Sequence, residues 1–195
     1  MVLTTNVIAV TSENSSSVSV FRNVGYVYNG PKWFVSKTGN DLTGIGSSAL
    51  PFATIQRGIN ASKSGDTVLV ASGSYVERVI VNKEIKLISL LGADSTRIDA
   101  NNFGTAVTIN SNIEATLDGF TLQNGFTSGP GNKSGGLIIL NNKSTVKNCV
   151  IKNNKGHQGG GIYSMGGLFL NCIIKNNIAE FEGGGILRQS LTRIW

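Results

Sequence analysis

Few residues of this chain are of types that do chemistry, and they are thinly spread. In its central stretch the carboxylates are Asp94, Asp99 and Asp118, with Arg97 between the first two and Lys147 farther along. Carboxylate oxygens can hold Ca²⁺ while an arginine or lysine removes a proton. Alternatively, two carboxylates roughly 6.5–9.5 Å apart can divide acid and base roles in a hydrolysis. His157, in Gly156-His157-Gln158-Gly159, is the sole histidine. That excludes a site of several histidines, and alone it reads as a surface loop residue. Gly156 to Gly161 lacks the Gly-Lys-Ser/Thr ending of a phosphate loop. The sequence names no metal ligands.

The elements that must position these side chains are repeats. Thr145-Val146-Lys147-Asn148-Cys149-Val150-Ile151-Lys152-Asn153-Asn154 returns as Leu168-Phe169-Leu170-Asn171-Cys172-Ile173-Ile174-Lys175-Asn176-Asn177, 23 residues later. A weaker copy, Thr116 to Gly125, stands 29 residues before the middle one. Gly-Gly units at Gly135-Gly136, Gly160-Gly161 and Gly184-Gly185 alternate with the copies. Periods of this length mean stacked units, none able to bury its apolar face alone. The apolar runs are short and broken by Asn or Gly, which suits strands and disfavours helices. The period and composition select an all-β chain, a right-handed parallel β-helix of about five coils, the last incomplete.

Alternation along a strand turns Phe120, Cys149 and Cys172 inward, with Leu122, Ile151 and Ile174. Thr121, Val150, Ile173, Gln123, Lys152 and Lys175 then face outward. Gly119, Asn148 and Asn171 precede the first inward column, where a left-handed bend is needed. Asn124, Asn153 and Asn176 form a column suited to side-chain bonds between coils. Asp118 and Lys147 fall on successive coils as a cross-strand pair. Stacked coils about 4.8 Å apart bring the cysteines close, but in-register neighbours favour packed free thiols over a disulfide.

Composition sets further bounds. The chain has 195 residues, 25 of them Gly, 40% hydrophobic and 14% charged, as an ordered single-domain β protein rich in bends requires. Residues 1–120 hold nine Lys/Arg against nine Asp/Glu, and 121–195 hold eight against two, so the net +6 lies in the repeat half. Lys147, Lys152 and Lys175, with Lys143 and Lys155, could bind an acidic polysaccharide or another polyanion. The alternative is a solvated strand face that discourages edge pairing. Nucleic acid is disfavoured, since aromatics are not interleaved with the basic residues. No run is long enough to span a membrane. No secretory signal is visible at the N-terminus, and the chain reads as an internal piece of a longer secreted protein, its Ser-rich residues 11–18 flexible.

Before the repeats, Trp33 to Ser36 reads as a strand and Lys37 to Ser48 as a polar loop. Phe52, Ile55 and Ile59 form a helical stripe, begun by Pro51 and stopped by Gly65. Such a helix covers the open end of a solenoid core. Gly39-Asn40-Asp41, Pro51-Phe52-Ala53-Thr54-Ile55 and Gly65 to Glu77 resemble the N-terminal domain of unknown function of bacterial right-handed β-helix proteins. These belong to the pectate-lyase-like superfamily. The likeness covers about residues 32–92. It implies an extracellular or cell-surface setting within a larger multidomain chain. It assigns Asp66 and Glu77 structural places in the cap. The expected organisation is a flexible or upstream-domain leader at 1–31, a cap at 32–66, coils at 67–187 and a non-repeat tail at 188–195.

The superfamily holds both enzymes and adhesins, so the fold supplies no reaction. The Asn-Thr-Asp and Gly-His-Gly motifs expected of its galacturonidases are absent, as is the esterases' Gln-Asp-Thr element. Arg188 enters the inward column of Ile109, Ile139 and Ser164, where an unpaired charge is costly; this suggests a truncated or frame-shifted fragment. The first reading is a scaffold that binds carbohydrate or serves in adhesion and needs no cofactor. The alternative is a polysaccharide lyase or related pectin-active enzyme on acidic polysaccharide, using Ca²⁺ near Asp94, Asp99 and Asp118.

Overall fold

A computed structural model describes residues 3–11 and 18–189, with side chains from residue 27 onward. The chain divides into two units, Met1–Gly30 and Pro31–Trp195. In the first, strands Leu3–Thr11 and Val18–Tyr26 pair antiparallel, so the leader expected over 1–31 carries a β-hairpin built from β-branched runs. Of the Ser-rich segment, residues 12–17 lie outside the described residues, as do 190–195 of the tail.

The second unit is a right-handed parallel β-helix. Its first sheet stacks Lys32–Val35, Thr67–Val70, Lys86–Ser89, Thr116–Asp118, Thr145–Lys147 and Leu168–Leu170. The second stacks Gly73–Val76, Thr96–Asp99, Thr121–Gln123, Val150–Lys152 and Ile173–Lys175. The third stacks Val79–Val81, Val107–Ile109, Leu137–Ile139, Ile162–Ser164 and Ile186–Arg188. Each coil gives one strand to each sheet. The fifth coil, expected to be incomplete, reaches all three. A lateral parallel pair, Lys155–Gln158 with Ile178–Glu182, lies in sequence between the second and third sheets of the last two coils.

Side chains alternate as the strand period demands. Val68, Leu87, Leu117 and Val146 stack in register inside the first sheet, and Tyr75, Ile98, Leu122 and Ile151 inside the second, none more than 1% exposed. Each such aliphatic side chain contributes about 1.5–3 kcal/mol by leaving water. Phe120 and Cys149 are also fully buried. Both cysteines are free thiols, and burial pushes Cys149 up to about 12. At the fifth coil the core opens: Phe169, Cys172 and Ile174 are only half-buried. For the same reason Arg188, opposite Ser164 in the expected column, is exposed, and no buried charge arises.

The helix is Ile55–Ala61, shorter than the apolar stripe suggested. Thr54 is extended and its hydroxyl accepts from Arg57 N–H at 3.3 Å, fixing the start after Phe52 rather than at Pro51. Phe52 instead bridges Val35 and stacks on Trp33. Ile55 and Ile59 close the core. A methyl at Gly58 would stand 2.8 Å from Val35 Cγ2, so the helix lies tightly on the first strands. The helix ends at Ser62, before Gly65, and Lys83 Nζ donates to the carbonyls of Ile59, Asn60 and Ser62 at 2.6–2.9 Å. Lys83→Ala is expected to destabilise the cap by about 1–2 kcal/mol, read as a lower urea midpoint.

The bends carry one correction. Gly119, Asn148 and Asn171 have positive φ, as expected, but so do Asn124, Asn153 and Asn176. That second column is therefore a bend. The internal ladder between coils is one residue on, where Asn177 Oδ1 accepts from the backbone N–H and the side-chain amide of Asn154, both at 3.0 Å. A corner between strands needs a left-handed residue first, and the next side chain then turns inward.

Candidate functional site

The acidic residues of the cap serve the fold. Asp41 accepts from Ala53 N–H, Thr54 N–H and the Thr54 hydroxyl at 2.7–3.1 Å. Asp66 accepts from Trp33 Nε1 at 2.7 Å and Lys63 N–H at 2.8 Å. The two Glu77 oxygens take the N–H groups of Ile55 and Gln56 at 2.9 and 3.0 Å. Burial pushes the Glu77 carboxyl above its ordinary value, against the pull of those two amides.

The three candidate catalytic carboxylates are not brought together as a set. Asp99, at the end of its strand, is engaged by Gln123 Nε2 and Asn124 Nδ2, each at 2.8 Å, and by Asn101 N–H. Asp118 pairs with Lys147 at 3.3 Å and accepts from Asn148 Nδ2 at 2.8 Å. Exposed Asp94 lies in the turn before the Asp99 strand and lines a shallow cleft of about 220 Å³ with Asn148 and Asn171. Arg97 is tied to the Asp94 carbonyl at 3.0 Å. Among the described residues, no group of three or more His, Cys, Asp or Glu is placed to hold a metal ion.

The candidate binding lysines separate. Lys147 is spent on Asp118. Lys152 and Lys175 stand directly opposite each other on neighbouring coils of the second sheet, continuing a column through Asp99 and Gln123. Neither has an ion-pair partner among the described residues. Beside them runs the column of Arg97, Thr121, Val150 and Ile173.

A second polar cluster went unread. Glu180 Oε1 meets Lys155 Nζ at 3.2 Å, and its Oε2 meets His157 Nδ1 at 3.3 Å and Gly129 N–H at 3.1 Å. The Gly129 amide, then Lys155 and His157, hold this exposed carboxyl below its ordinary value. His157 stacks on Phe181 with ring centres 5.9 Å apart, and Lys155 Nζ lies 5.3 Å from the centre of the Phe126 ring. His157 looked solitary because its partner comes from the next coil. The signal was present: the 23-residue offset that aligns Cys149 with Cys172 also aligns His157 with Glu180.

Residues 37–82 match the family described as Protein of unknown function (DUF1565). They run from the cap loop through the helix into the first coil. The match covers 46 of the 195 residues. Solved structures similar to this β-helix include pectin methylesterase PemA from Erwinia chrysanthemi, at 15% identity and a TM-score of 0.47 over 76% of this chain and 55% of that one. Another is the pectin methylesterase from Aspergillus niger in deglycosylated form, at 14% and 0.41 over 73% and 56%. A pectin methylesterase in complex with hexasaccharide VII is similar at 16% and 0.47 over 76% and 55%. This β-helix spans about half the length of each. No curated protein matches it by sequence. No helix among the described residues is long and apolar enough to cross a membrane.

Proposed function

We propose that this β-helix is a non-catalytic scaffold that binds acidic polysaccharide, in carbohydrate recognition or adhesion, at a cell surface or outside the cell and within a larger multidomain protein. The reading rests on Lys152 and Lys175, projecting from adjacent coils with no acidic partner among the described residues. A polyanion has charges repeated along its length, and a solenoid face repeats its own at about 4.8 Å per coil. Asp99 and Asp118, by contrast, already have donors within the fold. The scaffold needs no cofactor.

Exposed ion pairs contribute about 0–1 kcal/mol each. The double variant Lys152→Ala/Lys175→Ala is therefore expected to weaken polygalacturonate binding about tenfold in calorimetry at low salt. Wild-type binding should fall as salt rises to about 0.15 M, where screening sets in within ~8 Å. Unchanged affinity in the double variant would remove these lysines from the site. The same incubation followed in the ultraviolet should stay flat. A Ca²⁺-dependent rise from unsaturated uronide, lost in Asp118→Ala, would establish the polysaccharide lyase instead.

A further inference from the structure

We infer that a cleft of about 370 Å³ on the outer face of the third sheet binds a uronic acid residue, its carboxylate held by the two-pronged guanidinium of Arg78. Arg78, Val79, Ile80, Thr105 and Thr108 line the cleft. It belongs to the first two coils, and described elements flank it on both sides. Toward the cap, the Gln56 side chain bonds the N–H and the carbonyl of Ile80 at 2.8 and 3.3 Å, as a neighbouring strand would. Away from the cap, Val107–Ile109 pairs with Val79–Val81.

Stacking does not call for an arginine here. The residues at its register on the next coils are Ala106, Gly136 and Gly161, each standing just before a strand of the third sheet. Arg78 instead lies along the fold. A methyl on Gly104 would stand 2.9 Å from its Nη1 and 3.3 Å from its Cδ. That turn is fixed, since Gly104 O accepts from Phe126 N–H at 2.9 Å and Phe103 N–H donates to Ala100 O at 2.8 Å. Rotamer freedom that a ligand would otherwise have to freeze is thus already restricted. Yet the guanidinium has no ion-pair or hydrogen-bond partner among the described residues. Its planar fork of donors matches a carboxylate bidentately.

The rest of the lining selects a sugar acid over a bare carboxylate. The Thr105 hydroxyl proton is committed to Ser134 O at 2.6 Å, which leaves only lone pairs on that oxygen. A ligand meeting it must bring a donor, and a sugar hydroxyl does. Thr108, opposite Ile80 on the next coil, offers a second hydroxyl. Half-exposed Ile80 gives an apolar wall for the C–H face of a pyranose ring. The site lies on a different sheet from Lys152 and Lys175 and takes one residue rather than a run of charges, so it does not rest on the lysine face.

The test is titration of the ¹⁵N-labelled full chain with D-galacturonate, D-glucuronate, D-galactose and acetate, each to about 20 mM, a range that reads millimolar affinity. At least one uronate is expected to give saturable amide shifts at Ile80, Thr105 and Thr108. Galactose and acetate should bind about tenfold more weakly, because each lacks one half of the contact. Arg78→Gln should weaken uronate binding about tenfold or more. Arg78→Lys, which keeps the charge without the fork, should weaken it about three- to tenfold. Arg78 is exposed, so neither change disturbs the core. Lys152→Ala/Lys175→Ala should leave this binding unchanged while reducing polygalacturonate binding, so the two readings fail separately. No saturable shift with either uronate would overturn the inference. So would binding indifferent to Arg78→Gln, or acetate bound as tightly as the uronate.

Discussion

Replacing Asn154 by leucine is expected to cost about 3–6 kcal/mol, among the largest losses available to one substitution in this fold. Asn154 is 2% exposed and every polar atom of its side chain is used. Its oxygen accepts from Gly125 N–H at 2.8 Å. Its amide donates toward Leu122 O, Lys152 O and Asn177 Oδ1 at 2.9–3.1 Å. Leucine keeps the branching of asparagine but is bulkier, so overpacking adds to the lost hydrogen bonds. Each buried group left without a partner costs about 1–3 kcal/mol. Asn154→Asp keeps an acceptor for Gly125 but turns a carboxylate toward two carbonyls, and should be no better. Asn153→Ala, one residue earlier and exposed, forfeits only a side chain suited to positive φ, about 1–2 kcal/mol. Urea unfolding of the three variants decides the matter. Equal losses at 153 and 154 would mean that the buried ladder is not what joins these coils.

The same ladder explains why two motifs recur together. A methyl on Gly136 would fall 2.9 Å from Asn154 Nδ2 and 2.3 Å from Gly161 O, and one on Gly161 2.7 Å from Asn177 Nδ2. The Gly-Gly unit is bare because the inward asparagine and the next coil's backbone occupy that space. Both motifs, and with them the solenoid, were legible in the spacing of Asn, Cys and Gly. Which asparagine of a pair turns inward was not, because both types tolerate left-handed backbone and only the corner geometry separates them. The surface proposed to bind polysaccharide was half legible in its geometry. Lys152 and Lys175 followed from strand alternation, and the pairing of Asp118 with Lys147 from the repeat. The Glu180 cluster was missed because a bulge between Gly156 and Gln158 shifts the lateral pair out of simple alternation. In the cap, the apolar stripe could not show that Thr54 rather than Pro51 starts the helix, since that depends on Asp41 and Glu77 reaching it from distant loops.

Glu77→Ala should lower stability by about 2–4 kcal/mol at neutral pH and loosen the cap before the coils. Its carboxylate satisfies two N–H groups at the start of Ile55–Ala61, and bonds to a charged acceptor are worth about 1.5–3 kcal/mol each. Part of that gain is offset by burying the charge, which is why the folded carboxyl titrates above its ordinary value. The sign of the pH effect follows from that direction. Between the unfolded value and the raised folded value, the folded chain holds the extra proton, so stability falls as pH rises through this window. Below the window the contribution is fully present, and above it the loss is constant. Glu180, held low by its donors, runs the other way, so the Glu77 effect must be read as a difference between variants. Glu77→Gln removes the titration while keeping one acceptor oxygen. The stability gap between wild type and Glu77→Gln should therefore narrow as pH is raised from about 4 toward 7, measured by urea midpoints on both chains. A gap that widens over that range would mean that the helix N-terminus stabilises the carboxylate more than burial costs it. The cap would then be held mainly by charge rather than by the two directed bonds.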